Sequence, residues 1–271
     1  MTTPATKTNF CGVDIPLWDD LAFFVDGNSK ITGGNGTFAE PKPNAFSLPH
    51  ISHCPGSTPE CRASCYVHGL KKYAPELAAK YELNAMALAR VLLSFPTADR
   101  SACMLADWIT ENAPAGFRWH VSGDVTSERH AQWIGRVCTR AEKVPFWIYT
   151  RTLEVVPILA QVKNLAVNVS ADKTNFQRAR RVVFECANKS VTGAAPRICY
   201  LTTDGALPEN LEPGSVIFPD YALRGRDLPD PTSAPWWQGL TQEQRVMVCP
   251  TDFFGQSEAH RCGPCRKCLD K

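Results

Sequence analysis

From residue 117 onward, short apolar runs rich in β-branched and aromatic residues alternate with longer amphipathic stretches, and this alternation constrains the fold more than any other feature. The strand-like runs are FRWHVS (117–122), PFWIYT (145–150), LAVNVS (165–170), RVVFEC (181–186), RICYLTT (197–203), SVIFPD (215–220) and RVMVC (245–249). Between the first of them lie helical stretches, SERHAQWIGRVCTRAEK (127–143) and LEVVPILAQVK (153–163), the latter interrupted by Pro157. Such a pattern predicts βα units around a parallel sheet, either a partial or complete (β/α) barrel or an open sheet.

The segment before the alternation reads differently. DGNSKITGGNGTFAEPKPNAF (26–46) is dense in Gly, Asn and Pro, so residues 1–45 are expected to form an irregular N-terminal extension. Two helices follow, PELAAKYELNAMALARVLLSF from Pro75 and TADRSACMLADWITENAP with Thr97 as its N-cap. The expected organisation is therefore an extension over 1–45, a barrel-like domain over 46–248 and a cysteine-rich tail over 249–271.

Functional residues in βα folds collect at the carboxyl ends of the strands. Here those positions carry Ser122-Gly123-Asp124, Thr150-Arg151, Ser170-Ala171-Asp172, Thr202-Thr203-Asp204 and Cys249. Each polar group on its own is equally well read as a helix cap. Thr126 and Ser127 can cap the helix after Asp124, which leaves Asp124 without that explanation.

Two cysteine clusters carry the strongest chemistry. The tail has Cys249, twelve residues, then Cys262, Cys265 and Cys268 as C-x-x-C-x-x-C. Four thiolates can close a tetrahedral zinc site or hold a four-iron cluster, and three from one tight loop favour iron–sulfur over zinc. The first cluster is HCPGSTPECRASCY, with Cys54, Cys61 and Cys65 and no evident fourth thiol. It fits an iron cluster with one open iron, or a zinc site completed by His53; Cys11 is a further candidate for the fourth ligand. Cys103, Cys138, Cys186 and Cys199 stand singly and read as small buried hydrophobes. His50 and His68 read as ordinary loop residues.

A formal net charge of +2 excludes nucleic-acid binding driven by charge alone, which needs many phosphate contacts. The basic stretches FQRARR (176–181) and RCGPCRK (261–267) read as a solvated helix face and a charged tail. No apolar run approaches the roughly 20 residues that span a bilayer. The first residues show no basic flank followed by an apolar stretch, so a cytoplasmic location is expected, where clustered cysteines more often bind metal than form disulfides. No HExxH, P-loop or GxSxG motif is present.

A three-cysteine loop directly after the first strand of a βα fold, followed after the next strand by Ser122-Gly123-Asp124, resembles the radical S-adenosylmethionine enzymes. The spacing here is six residues and then three, where that superfamily commonly has three and then two, and Tyr66 follows the last cysteine instead of preceding it. The resemblance implies a barrel of radical-SAM type. It implies a [4Fe-4S] cluster on Cys54, Cys61 and Cys65, with a second, auxiliary cluster on Cys249, Cys262, Cys265 and Cys268. S-adenosylmethionine would contact Tyr66, Ser122, Gly123, Asp124, Asn168 and Ser170. Tyr149, Arg151 and Asp172 would face the substrate, and an electron donor would be needed. A second likeness, carried by SLPHISHCPGSTPECRASCY, HVSGDVTSERHAQW and IYTRTL, is to a bacteriophage gene-product family. It implies a role in the host-cell cytoplasm, and it makes DNA or a nucleotide the expected substrate class. The competing expectation is a zinc- or iron–sulfur-stapled module that binds nucleic acid or protein without catalysis, with Trp236-Trp237 as a contact surface.

Overall fold

A computed structural model of the chain describes residues 10–32, 34–37, 39–189, 193–224, 228–255 and 260–269. Residues 1–9 lie outside the described residues.

Eight strands form one sheet in sequence order: β1 (Phe10–Trp18), β2 (Leu21–Asn28), β3 (Ala45–Phe46), β4 (Phe117–Trp119), β5 (Phe146–Thr150), β6 (Leu165–Ala171), β7 (Arg197–Thr202) and β8 (Val216–Pro219). β1, β2 and β3 pair antiparallel, and β3 to β8 run parallel. The protein is thus a mixed α/β fold whose sheet is not closed, with β1 and β8 at its ends.

Between β3 and β4 the chain forms α1 (Pro59–Ala63), α2 (Leu70–Tyr73), α3 (Pro75–Val91) and α4 (Phe95–Asn112). The helices α5 (Glu128–Arg140), α6 (Val156–Leu159) and α7 (Phe176–Asn188) connect β4 to β7 in turn. After β8 come the short helices α8 (Pro235–Gln238), α9 (Gln242–Met247), α10 (Pro250–Phe254) and α11 (Cys262–Cys265). Parallel strands in sequence order joined by right-handed crossovers place their helices on one face of the sheet. The side chains agree. Phe46, Phe117, Trp119, Ile148, Val167, Val169, Ile198 and Tyr200 share a core with Trp133, Ile134 and Val137 of α5.

Alternate residues of the same strands point the other way, and the tail covers them. Ala45, Trp147 and Ala166 pack against Leu269, while Cys199 and Val216 pack against Cys249 and Cys268. The C-terminal segment therefore lies on the inner face of the sheet, opposite the connecting helices.

Five local expectations change. Residues 10–28 are not irregular: they form the β1–β2 hairpin, and every odd-numbered residue of β2 from Leu21 to Gly27 is buried. The Gly- and Asn-rich stretch that suggested irregular structure begins only at its end. RVVFEC belongs to α7, where Phe176, Ala179 and Cys186 are buried at helical spacing. RVMVC lies mostly in α9, opened by a capping box of Thr241 and Gln244, and only Val248 adds a single parallel bridge to Ile217. Ser94 caps α4 and accepts from the Thr97 backbone, so Thr97 is not the cap; Pro157 sits in the first turn of α6, which it opens instead of breaking.

Candidate functional site

The loop carrying Cys54, Cys61 and Cys65 follows β3 and is clamped onto the carboxyl ends of β4, β5 and β6. Its leading segment pairs Leu48 N–H with the Ser122 carbonyl at 2.9 Å, and Asp124 N–H donates to the His53 carbonyl at 2.8 Å. Gly56 lies against β5: a Cβ there would fall 2.1 Å from the Arg151 carbonyl oxygen, so no side chain fits. Thr58 caps α1 by accepting from Cys61 N–H at 3.1 Å, and its hydroxyl donates to the Asp172 carboxylate. Ser64 Oγ donates to Asp220 at 3.2 Å, beyond β8. Ile51 adopts φ +65 and His120 φ +60, left-handed conformations that a β-branched residue rarely accepts, in the two segments that meet there.

These contacts give several predicted site residues a bracing role. Arg151 Nη1 donates to Asp172 Oδ2 at 2.7 Å; the pair is 9% and 1% exposed and faces the loop. Burial alone would raise the Asp172 carboxyl, but the Thr58 hydrogen bond and the Arg151 charge hold it below its ordinary value. Asp124 accepts from Val125 N–H at 2.7 Å and Arg151 N–H at 2.8 Å, tying the β4 loop to the end of β5. Burial nevertheless raises its carboxyl. Gly123 has φ +77, and a Cβ would meet Leu48 at 2.5 Å. Ser122 is buried with its hydroxyl unpaired. Ser127 caps α5, as read from the sequence. Tyr66 is 65% exposed and reaches across to donate to the Val121 carbonyl.

The three loop thiols are half-buried and within electrostatic reach of one another. Burial pushes Cys54 up to about 12, with Asp124, Cys61 and Cys65 adding to the shift. His53 Nδ1 lies 3.1 Å from Ser52 Oγ, His50 and His68 contact each other edge to face, and Cys11 sits in the hairpin opposite Gly27.

The second cluster lies on the inner face. Asn168 Nδ2 donates to the Cys268 carbonyl at 3.1 Å, and Arg197 Nη1 donates to the Lys267 carbonyl at 2.7 Å, which fixes the tail against β6 and β7. Cys199 of β7 is in hydrogen-bonding contact with Cys268 and lies 3.7 Å from Asn168 Oδ1. Its thiol and the Tyr149 hydroxyl favour the Cys268 thiolate, lowering that group, while burial raises Cys199 and Cys249. Lys30 reaches in from the hairpin side to pair with Asp252 at 3.1 Å, and Arg118 of β4 lies 4.9 Å from the centre of the Tyr149 ring. Arg118 and Cys199 were not among the predicted site residues. Their only signal is parity: they fall on the same side of their strands as Tyr149, Asn168 and Ser170.

Among the described residues, no three His, Cys, Asp or Glu side chains converge tightly enough to hold a single metal ion. A tetrahedral zinc site needs four donors about 2.3 Å from one point if they are thiolates. A four-iron cube takes its thiolates at wider separation, one on each iron, and the chemistry of both donor sets suits it. Two clefts, of about 520 and 430 Å³, lie at the amino ends of the strands, lined by residues such as Asn35 and Ala115 or Val144, Asn164 and Leu269; no cysteine lines either.

A family model described as Gene product 88 matches residues 22–271, from β2 to the end of the chain. The chain belongs to the Gene product 88 family. It is similar to the Gene 88 protein of Mycobacterium phage L5, with 31% identity over 156 residues. That alignment takes in 55% of this chain and 64% of the phage protein, a little under two thirds of its length. The likeness supports a bacteriophage origin for this Gene product 88 chain. No solved structure matches it. No helix among the described residues is long and apolar enough to cross a membrane.

Proposed function

We propose that the protein is an iron–sulfur enzyme of radical S-adenosylmethionine type, acting on a nucleotide or a nucleic-acid base. One observation carries the reading. A loop of three thiols is clamped, through Gly56, Thr58 and the Asp124 backbone, onto the carboxyl ends of consecutive parallel strands. Cys54, Cys61 and Cys65 would hold a four-iron cluster there. When bound, such a cluster with one open iron supplies one-electron reductive cleavage of S-adenosylmethionine, with an external electron donor.

The chain's own residues do the positioning. The buried Arg151–Asp172 pair and Asp124 fix the loop. Tyr149, Asn168 and Ser170 lie on the inner face between the loop and the tail, where a substrate could be oriented. Ser122, with its unpaired hydroxyl, is the free polar group nearest in sequence to the brace. The substrate class rests on the phage likeness alone.

A second reading is favoured by a specific observation: Asp124, Arg151, Asp172 and Asn168 are all engaged in internal hydrogen bonds. In that reading the clusters staple a non-catalytic module that binds nucleic acid or protein. The deciding measurement is metal and acid-labile sulfide on protein purified without oxygen, followed by reductant and S-adenosylmethionine. The radical reading expects roughly eight iron and eight sulfide per chain and release of 5′-deoxyadenosine. Zinc without sulfide, or iron with no 5′-deoxyadenosine, would sink it and leave the module.

A further inference from the structure

We propose that Cys199, and not Cys265, is the fourth thiolate of the tail site, so that Cys199, Cys249, Cys262 and Cys268 hold one iron–sulfur cluster on the inner face of the sheet. This rests on the iron–sulfur reading above and changes its ligand set.

Side-chain packing separates the five thiols, although Cys262 and Cys265 are alike half-buried. Cys199, Cys249 and Cys268 share one buried cluster with Val216, lined by Tyr149 and Phe218. Cys262 adjoins them, packed against Trp147 and Leu269 and electrostatically linked to Cys268. Cys265 is half-buried, and belongs to none of the packed clusters that hold the other four. Its place in the one-turn helix α11 puts it three residues from both Cys262 and Cys268, yet only those two of the C-x-x-C-x-x-C run reach the inner face.

Strand geometry explains why Cys199 is available. It pairs in register with Ser170 and Val216, and its neighbours Ile198 and Tyr200 enter the helix-side core, so its thiol points to the tail side. Being on a strand between two parallel neighbours, it supplies a ligand whose position does not depend on the tail. The tail then closes over it, held by Asn168 on the Cys268 carbonyl and Arg197 on the Lys267 carbonyl. The surroundings suit a net negative group. Two cations reach that face: Lys30, which pairs with Asp252, and the half-buried Arg118, which lies over the Tyr149 ring, and both interact favourably with a negative charge on Cys262.

The test counts iron and acid-labile sulfide on protein made without oxygen, in a background where Cys54, Cys61 and Cys65 are all Ala. That background retains roughly four of each at the tail site. Adding Cys199→Ser takes both to near zero, whereas adding Cys265→Ser leaves them unchanged. In the otherwise wild-type chain, Cys199→Ser halves iron and sulfide, and the half that remains at the first site shows that the variant is folded. Retention of the tail cluster by Cys199→Ser, or its loss in Cys265→Ser, overturns the assignment. So does a Cys199–Cys268 disulfide in the anaerobic protein. Absence of iron and sulfide from the wild-type chain is a different result: it removes the iron–sulfur reading itself.

Discussion

Replacing Asp172 with Asn removes one negative charge from a site that seals it almost completely. In the native chain its Oδ2 receives Arg151 Nη1 and the Thr58 hydroxyl, and Oδ1 receives Thr174 N–H at 2.9 Å. An amide at this position keeps the volume but turns a donor toward one of those donors. It also leaves the Arg151 guanidinium, 9% exposed, without its ion-pair partner. Breaking a buried ion pair by removing one partner costs about 3–5 kcal/mol, much of it the uncompensated charge. At about 2–4 °C per kcal/mol for a domain somewhat smaller than this one, the melting temperature should fall by roughly 6–20 °C.

The double variant with Arg151→Met separates that charge effect from simple loss of packing. Met keeps the apolar stem, and the Arg151 backbone N–H can still donate to Asp124. The two changes together should therefore cost less than their sum, with a coupling of about 1.5 kcal/mol or more. The assay is urea unfolding of the four proteins at pH 7.5, followed by circular dichroism. Because Asp172 is held below its ordinary value of 3.8, the pair's contribution is present above about pH 4 and is lost as acidification proceeds below it. A single-variant cost below about 1 kcal/mol, or strict additivity, would refute the claim that this pair holds the cysteine loop.

Gly56→Ala should be destabilising by about 1–3 kcal/mol, because the new methyl meets the Arg151 backbone and no flexible side chain can yield. Limited proteolysis should then cut within 54–66 first, and a digestion pattern like that of the wild type would contradict the clamp. His120 makes a separate pH prediction. Burial pushes it down to about 3, its Nδ1 meets the Phe46 carbonyl at 3.1 Å and its Nε2 is buried without a partner. The folded chain thus refuses a proton that the unfolded chain takes up near the ordinary 6.5, so stability is full above that value and falls as pH drops toward 3. The loss from this group is about 2 kcal/mol at pH 5. In His120→Asn, which tolerates the left-handed backbone, the drop in urea midpoint between pH 8 and pH 5 should shrink accordingly; an unchanged drop would rule out His120 as its source.

Most of the parallel half of the fold was legible because its strands are short, predominantly apolar runs bounded by turn residues. FWIYT and LAVNVS are wedged between the helix-side core and the tail, and burial on both sides is what makes such runs continuous. RVVFEC carries the same residue types, yet only one side of it is buried, with Phe184 67% exposed, and composition does not register sidedness. The hairpin was hidden for a different reason. LAFFVDGN runs straight into a Gly- and Asn-rich loop, and the local breaker signal outweighed the alternation that precedes it.

The site was legible as residues and illegible as roles. Asp124, Arg151 and Asp172 were found from their places after strands, but what each one touches depends on where a loop about 60 to 115 residues earlier in the chain comes to rest. Cys199 and Arg118 were missed because their meaning is purely tertiary. In RICYLTT a lone cysteine between Ile and Tyr is a small hydrophobe by every local criterion. What changes it is the tail, which returns across the sheet to set Cys268 against it. Arg118, midway in β4, is half-buried on the inner face, over the Tyr149 ring and within electrostatic reach of Cys262 and Cys268. Burial holds Cys199, Cys249 and Cys262 in the protonated form, while Cys199 and Tyr149 favour the Cys268 thiolate. An Arg between Phe and Trp in a short strand says nothing of this by itself, because its partners arrive from β5 and from a tail roughly 150 residues further on.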